Sequence, residues 1–420
     1  MNIQLPYGKN CLPLNINSEK FLIETPKEKQ GLEKINDIIS HVLDSPLDTQ
    51  PLSEMISNGN TVAIVVDDYT RPAPTKILLP PVLEKLLENG VKKTDITIII
   101  ATGTHTAPTI DQKIQILGKD ITNQYNVVSN DVLNGEYVCV GTSSFGNEIK
   151  ILKEYIDSDI KILIGDIEYH YYAGYGGTRK SVLPGIASRD TIQRNHAMMF
   201  QDNACMGLLD ENPISIEMIE AMNMAGCTLA LSSVLNSHHE IVGVWAGKPE
   251  TVMQQGVNLV DSMYKKNLCT QPDIVVIAAD GHPHDINLYQ ALKALYTGAQ
   301  IIKKNGVIIL VASCFEGMGN ELYKTWMKDY ETSDLIQKAL TQHFKLGAHK
   351  AYYHRDIIEK YTVILVSELQ DSFVKEKLGF IPEKNPTTAL LKAYELVGKN
   401  KTVLVAPQGS TTFFECKKMK

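Results

Sequence analysis

The run Ile160-Lys161-Ile162-Leu163-Ile164-Gly165 and the segment Glu168-Tyr169-His170-Tyr171-Tyr172-Ala173-Gly174-Tyr175-Gly176-Gly177-Thr178-Arg179-Lys180-Ser181-Val182-Leu183-Pro184-Gly185 together decide the fold. The first is short, apolar and nearly continuous, which predicts a buried strand. The second sets a histidine, glycines, a lysine and a proline-glycine stop just past the end of that strand. In an open α/β sheet this is where ligands bind. Glycines let backbone approach a ligand, and a lysine among them suits a phosphate or a covalent bond. A P-loop is the first reading to test. It needs a glycine directly before Lys-Ser/Thr and a helix that begins there. Arg179 occupies the glycine position, and Leu183-Pro184-Gly185 stops the segment within one turn. A glycine-rich surface turn is the bland alternative, and it leaves His170 without a purpose.

Outward from this segment, strand-like and helix-like runs alternate. Strands are predicted at Thr61 to Val66, Asp95 to Ile100, Ile160 to Ile164, Thr228 to Val234, Asp273 to Ala279, Val307 to Ala312, Thr362 to Val366 and Thr402 to Val405. Helices are predicted at Pro80 to Asn89, Pro213 to Ala225 and Leu288 to Lys304. Short apolar strands separated by helices indicate an α/β protein with mainly parallel sheets covered on both faces. A chain of 420 residues suggests two domains. The expected division is 1–268, joined by the C-terminal segment 405–420, and 269–404. The active site is expected in the cleft between them.

A net charge of -7 gives no electrostatic footprint for nucleic acid or an anionic membrane. No apolar run approaches the length of a membrane span, and the start of the chain lacks the pattern of a signal peptide. The seven cysteines are scattered and never form C-x-x-C. That argues against a zinc cluster or a disulfide framework and for reduced thiols in a cytoplasmic protein. Cys314, at a strand end, reads as a buried structural thiol.

Functional residue types gather past the strand ends. Asp67-Asp68-Tyr69-Thr70-Arg71-Pro72 follows the first strand and His105 the second. His170 and Lys180 follow the third, with His196 further on, and Gln290 and Lys293 share a helix face. Singly, each has a structural explanation; the repeated location is what points to chemistry. Arg71 and Lys293 suit a carboxylate. Paired histidines suit acid and base work at two faces of one carbon, as a racemase or epimerase requires. The α-hydrogen of a hydroxy acid is too weakly acidic for imidazole alone, so an electron-accepting cofactor or a metal is needed. No G-x-G-x-x-G fingerprint is present, which disfavours diffusible NAD. Lys180 is then the candidate tether for a bound nucleotide cofactor.

At this point the chain resembles the lactate racemase family, which uses a nickel-pincer nucleotide. The resemblance rests on Asp68-Tyr69-Thr70-Arg71-Pro72, Thr102-Gly103-Thr104-His105, the His170 to Gly185 segment, His196 and Gln290-Ala291-Leu292-Lys293, in that order along the chain. It implies that Lys180 carries the cofactor through a thioamide, with Gly176 and Gly177 forming the cradle, and that His196 completes the nickel coordination. It implies that His105 and His170 are the catalytic acid/base pair and that Asp68 and Arg71 orient cofactor and substrate. Gln290 and Lys293 are implied to hold the substrate carboxylate. The implied reaction is racemisation or epimerisation of a 2-hydroxy acid by hydride transfer through a 2-keto acid. Cofactor-biosynthesis enzymes are implied as partners. Tyr169, Tyr171, Tyr172, Arg179, His282, His284 and Tyr289 give the motifs polar surroundings, which suggests a substrate larger than lactate, such as a dicarboxylate or sugar acid. Two other readings stay open at this stage: a different α/β enzyme, such as a phosphate-binding transferase or dehydratase, and a non-catalytic cofactor-binding homologue.

Overall fold

The structure, a computed structural model, describes residues 1–16, 20–342, 344–345 and 347–416. The chain forms two compact units, residues 28–263 and residues 1–27 with 264–420.

The unit of residues 28–263 is built on a six-stranded sheet. Its strands, in spatial order, are Ile241–Gly247, Leu229–Leu235, Ile160–Asp166, Val62–Asp67, Ile96–Ala101 and Asn126–Ser129. All neighbours are parallel except the edge pair of Leu229–Leu235 with Ile241–Gly247. Alternate residues on one face, among them Ile64, Ile98, Ile162 and Leu231, pack with Ile39, Leu43 and Leu78 from the helices Ile35–Asp44 and Thr75–Glu88. The residues between them, such as Val65, Ile99 and Leu163, are equally buried. This two-sided burial is why these strands read as unbroken apolar runs rather than alternating ones. From Val62–Asp67 the chain adds strands on one side, Ile96–Ala101 and then Asn126–Ser129. It then crosses to the other side for Ile160–Asp166. The order therefore reverses between Val62–Asp67 and Ile160–Asp166, and loops leaving the carboxyl ends of two such strands diverge and open a crevice.

The other unit holds a second six-stranded sheet, all parallel. Its order is Ile381–Glu383, Thr362–Val366, Val307–Val311, Ile274–Ala278, Val403–Ala406 and Phe21–Ile23. The expected division needs correcting at two places. Residues 1–27 leave the first domain, because Phe21–Ile23 pairs with Val403–Ala406. Residues 405–416 do not return to the first domain, and 417–420 lie outside the described residues. Val403–Ala406 is interior to the second sheet, and Phe413–Cys416 pairs with Lys265–Leu268 of the same unit.

The eight expected strands are present, with ends shifted by a residue or two, and the helix Pro213–Ala225 lies where predicted. The helix expected to start at Pro80 starts at Thr75 and carries Pro80 and Pro81 inside it. The helix expected to run to Lys304 ends at Ile301. Cys314 is buried, as expected, and all seven cysteines are unpaired. Among the described residues no helix is long and apolar enough to cross a membrane.

Candidate active site at the sheet reversal

The crevice of residues 28–263 collects six of the expected site residues. Asp68 and Arg71 follow the strand Val62–Asp67. His105 follows Ile96–Ala101, and His170 and Lys180 follow Ile160–Asp166. His196 is on the helix Arg189–Ala197, which Ser188 caps by accepting from the Thr191 N–H. Gln290 and Lys293 belong to the other unit, in the first turns of the helix Leu288–Ile301, whose N-terminus Asn287 caps.

The glycines of the central loop are there to fold it. At Gly174 (φ +77°) a Cβ would lie 1.9 Å from the Leu208 carbonyl oxygen, so no larger residue fits. At Gly177 (φ +92°) it would lie 2.7 Å from Ile167 Cγ1 and 2.8 Å from the Asp166 carbonyl oxygen. Gly177 thus lets the loop close on the end of its own strand. Thr178 then takes φ 39°, a region β-branched residues avoid. The helix it opens, Arg179–Val182, is one turn long, which is too short for a P-loop helix.

Arg179 was a candidate second cation for a larger substrate, and the structure gives it another task. Its guanidinium is buried and donates to the carbonyls of Ala173 (3.2 Å) and Tyr175 (3.1 Å) and to Ser215 Oγ (3.1 Å). It ties down the loop that precedes Lys180. Tyr169 and Tyr175 likewise turn their hydroxyls onto one oxygen of Asp261, each at 2.7 Å.

Hydrogen bonds set the proton on each imidazole. Asp68 is buried. Its Oδ1 accepts from Thr70 N (3.1 Å) and Oγ1 (2.6 Å), and its Oδ2 lies 2.7 Å from His105 Nδ1. Burial opposes ionisation of Asp68, but the bonds from His105 and Thr70 outweigh it and lower its pKa. A carboxylate there fixes the His105 proton on Nδ1 and leaves the lone pair on Nε2. His170 is the reverse case. Its Nδ1 accepts the Ala173 backbone N–H at 3.2 Å, so in the neutral ring the proton sits on Nε2. Burial, then Lys180 and Arg71, hold the His170 pKa well below the usual imidazole range. Tyr172 packs edge-on against both His170 (4.5 Å between centroids) and His196 (5.3 Å). Burial and the Lys180 charge push His196 down to about 3, against a bond to the Ile192 carbonyl.

Lys180 is the electrostatic centre. Burial, reinforced by Arg71, pulls its amine from 10.5 to about 7, while Glu168, Asp67 and Asp166 oppose the change. Among the described residues nothing hydrogen-bonds or ion-pairs with that amine. Arg71 approaches Glu168 at 3.6 Å. Burial raises Asp67 to about 6 and Asp166 well above the carboxylate range. Sequence reading counted Asp67 among the residues past the first strand and gave Asp166 no role. A Cβ at Gly165 would lie 2.6 Å from Asp67 Oδ2, which shows how that carboxyl lies across the next strand.

An amine brought to about 7 has a substantial neutral fraction near neutral pH, and the neutral amine is a nucleophile that can form an amide-type bond. No three His, Cys, Asp or Glu side chains among the described residues gather as a metal cage. A metal beside His196 would therefore take most of its ligands from a bound group. The residues present fit a tethered nucleotide that brings its own donors.

Known proteins match this chain along nearly its whole length. Residues 7–207 match the lactate racemase N-terminal domain, and residues 268–413 match the lactate racemase C-terminal domain. The chain is 31% identical to the lactate racemase of Thermoanaerobacterium thermosaccharolyticum over 97% of its own length and 98% of that protein's. It is 30% identical to the lactate racemase of Lactiplantibacillus plantarum, with the same shares covered. The structure superimposes on the lactate racemase apoprotein of T. thermosaccharolyticum with a TM-score of 0.89, covering 99% of this chain and all of that one. A Thermotoga maritima protein, 18% identical, shares the fold with a TM-score of 0.63 over 92% of this chain and 98% of its own. An α/β chain matched from end to end in this way is an isomerase, and it belongs to the lactate racemase family.

Proposed function

We propose that this protein racemises a small 2-hydroxy acid, lactate first among them, with a nickel-pincer nucleotide carried on Lys180. The observation that carries the reading is the single cluster at the sheet reversal. An unpartnered amine depressed to about 7 stands there with two imidazoles whose Nε2 atoms are set oppositely, one as acceptor and one as donor. The relatives' printed names supply lactate. The burial of Arg179 removes the extra cation that had favoured a larger acid.

Lys180, as the free amine, would hold the nucleotide through a thioamide, made by condensation with a thiocarboxylic acid group of the nucleotide with loss of water. His196 would supply a nitrogen ligand to nickel, and Gly176 and Gly177 would keep side chains clear of the bound group. Acceptance and return of hydride at the α-carbon is the chemistry the bound nucleotide supplies. Arg71, whose contact with Glu168 is loose, turns to the substrate carboxylate. His105 takes the hydroxyl proton on Nε2, and Asp68 stabilises the resulting imidazolium. His170 returns a proton from Nε2 to the oxygen of the 2-keto acid at the opposite face; at that step it is the imidazolium, protonated on Nδ1 as well, and it is left neutral. For the other enantiomer the two rings exchange roles, and His170 must release the Ala173 N–H. One hydrogen bond of that kind is worth about 1 kcal/mol, so His105 is the resting base.

The test is a panel of 2-hydroxy acids, from lactate to dicarboxylates, incubated with protein co-produced with the cofactor-making enzymes and followed by chiral chromatography. Interconversion of lactate enantiomers, lost on the order of 10²–10⁴-fold in His105→Ala and His170→Ala, is the expected result. Loaded protein that leaves every acid in the panel unchanged would overturn the reading.

A further inference from the structure

The helix Arg189–Ala197 holds a buried polar relay that the reaction does not itself use. Glu217, on the helix Pro213–Ala225, is fully buried, and so is Asn195. The Glu217 carboxylate accepts from Ser143 Oγ (2.7 Å), Asn147 Nδ2 (3.2 Å) and Asn195 Nδ2 (2.9 Å). Asn195 Nδ2 also donates to the Ile214 carbonyl at 3.3 Å. A carbonyl oxygen and a carboxylate accept but do not donate, so only the amide nitrogen of Asn195 can face them. Its Oδ1 must then point the other way, and it lies 3.2 Å from His196 Nδ1. An amide oxygen accepts only, and the Ile192 carbonyl, which the His196 ring also bonds, accepts only as well. The ring proton is therefore on Nδ1, and Nε2 carries the lone pair.

We infer that Asn195, oriented by Glu217, is a positioning residue that fixes His196 as the Nδ1–H tautomer and so presents Nε2 as a metal ligand. The inference rests on the proposed role of His196, and it specifies what that role needs. A ligating histidine is held by the hydrogen bond at its other nitrogen. Here the holder is a neutral amide rather than a carboxylate, backed by the buried Glu217 carboxyl group one residue further from the ring. This keeps negative charge off the imidazole while fixing its direction. No step of the reaction passes through Asn195 or Glu217.

The test is made on the full-length apoprotein, labelled with ¹⁵N only at histidine. Long-range ¹H–¹⁵N spectra distinguish a protonated from an unprotonated ring nitrogen, and the peak lost in His196→Gln assigns the residue among the eleven histidines. The wild type is expected to show Nδ1 protonated and Nε2 bare. In Asn195→Leu the ratio of Nδ1–H to Nε2–H should fall roughly fivefold, the worth of one neutral hydrogen bond. An Nε2–H tautomer in the wild type overturns the inference, and this arm does not depend on any variant folding. An unchanged ratio in Asn195→Leu overturns it as well. In protein co-produced with the cofactor-making enzymes, nickel per Lys180 adduct should fall roughly 10–100-fold in affinity in the same variant. If no adduct forms on Lys180 in the wild type, the functional reading fails while the tautomer result stands.

Discussion

The amine of Lys180 offers the most direct measurement of the site, because its reactivity reports the charge around it before any cofactor is bound. With a pKa near 7, about half of the amine is neutral at pH 7, against roughly one part in 3,000 for a lysine at its ordinary 10.5. Trace labelling of the apoprotein with acetic anhydride across pH 6 to 11, read by peptide mass spectrometry, should give Lys180 a midpoint about three pH units below the exposed lysines. Burial and four charged groups set that midpoint, and their signs differ. Burial and the Arg71 cation lower it; Glu168, Asp67 and Asp166 raise it. Arg71→Gln should move the midpoint up, and Glu168→Gln should move it down. Stability follows the same sign. The folded pKa lies below the unfolded one, so the unfolded chain binds the extra proton. This group's contribution therefore disfavours folding below pH 7 and improves as pH rises from about 7 toward 10.5. A Lys180 midpoint near 10, or a shift of the same sign in both variants, would refute the picture of a buried amine inside an opposed charge cluster.

Two further outcomes test the frame around it. Gly174→Ala places a methyl 1.9 Å from the Leu208 carbonyl at a positive φ; a loss on the order of 3 kcal/mol should lower the apoprotein Tm by roughly 6 °C or more, and an unchanged Tm by calorimetry would show that the loop gives way. Asp68→Asn removes the acceptor that holds the His105 proton on Nδ1, so kcat for racemisation should fall on the order of 10²-fold with KM little changed, as polarimetry of the loaded protein would show.

Much of this fold was legible because buried parallel strands leave a plain signature. Ile160 to Ile164 and Val307 to Val311 are apolar at nearly every position because both sheet faces are covered. The edge strand Ile241–Gly247 was not read, since Gly243, Trp245 and Gly247 break that signature. The place of residues 1–27 was not legible either. Phe21–Ile23 joins a strand some 380 residues away, and three residues carry too little pattern to announce it. Pro80 misled because proline is read as a helix start, yet this helix begins a turn and a half earlier and contains it.

The site shows the same division between what a sequence exposes and what only packing decides. Asp68, Arg71, His105, His170 and Lys180 could be found because each lies just past a strand end, and the strands can be counted. Their protonation could not be found that way. His105 and His170 look alike in sequence, and they differ because one meets a carboxylate and the other a backbone N–H. Arg179 and Lys180 are adjacent cations, yet one is consumed by three carbonyl and hydroxyl acceptors and the other has none among the described residues. Glu217, in mid-helix, has the composition of a solvated face and proves to be fully buried. In each case the backbone position was written locally, and the proton followed from a partner distant in sequence or from the backbone itself. The chemistry of this site is therefore set by where protons are held, and a substitution that leaves every motif intact, such as Asn195→Leu, can still disarm it.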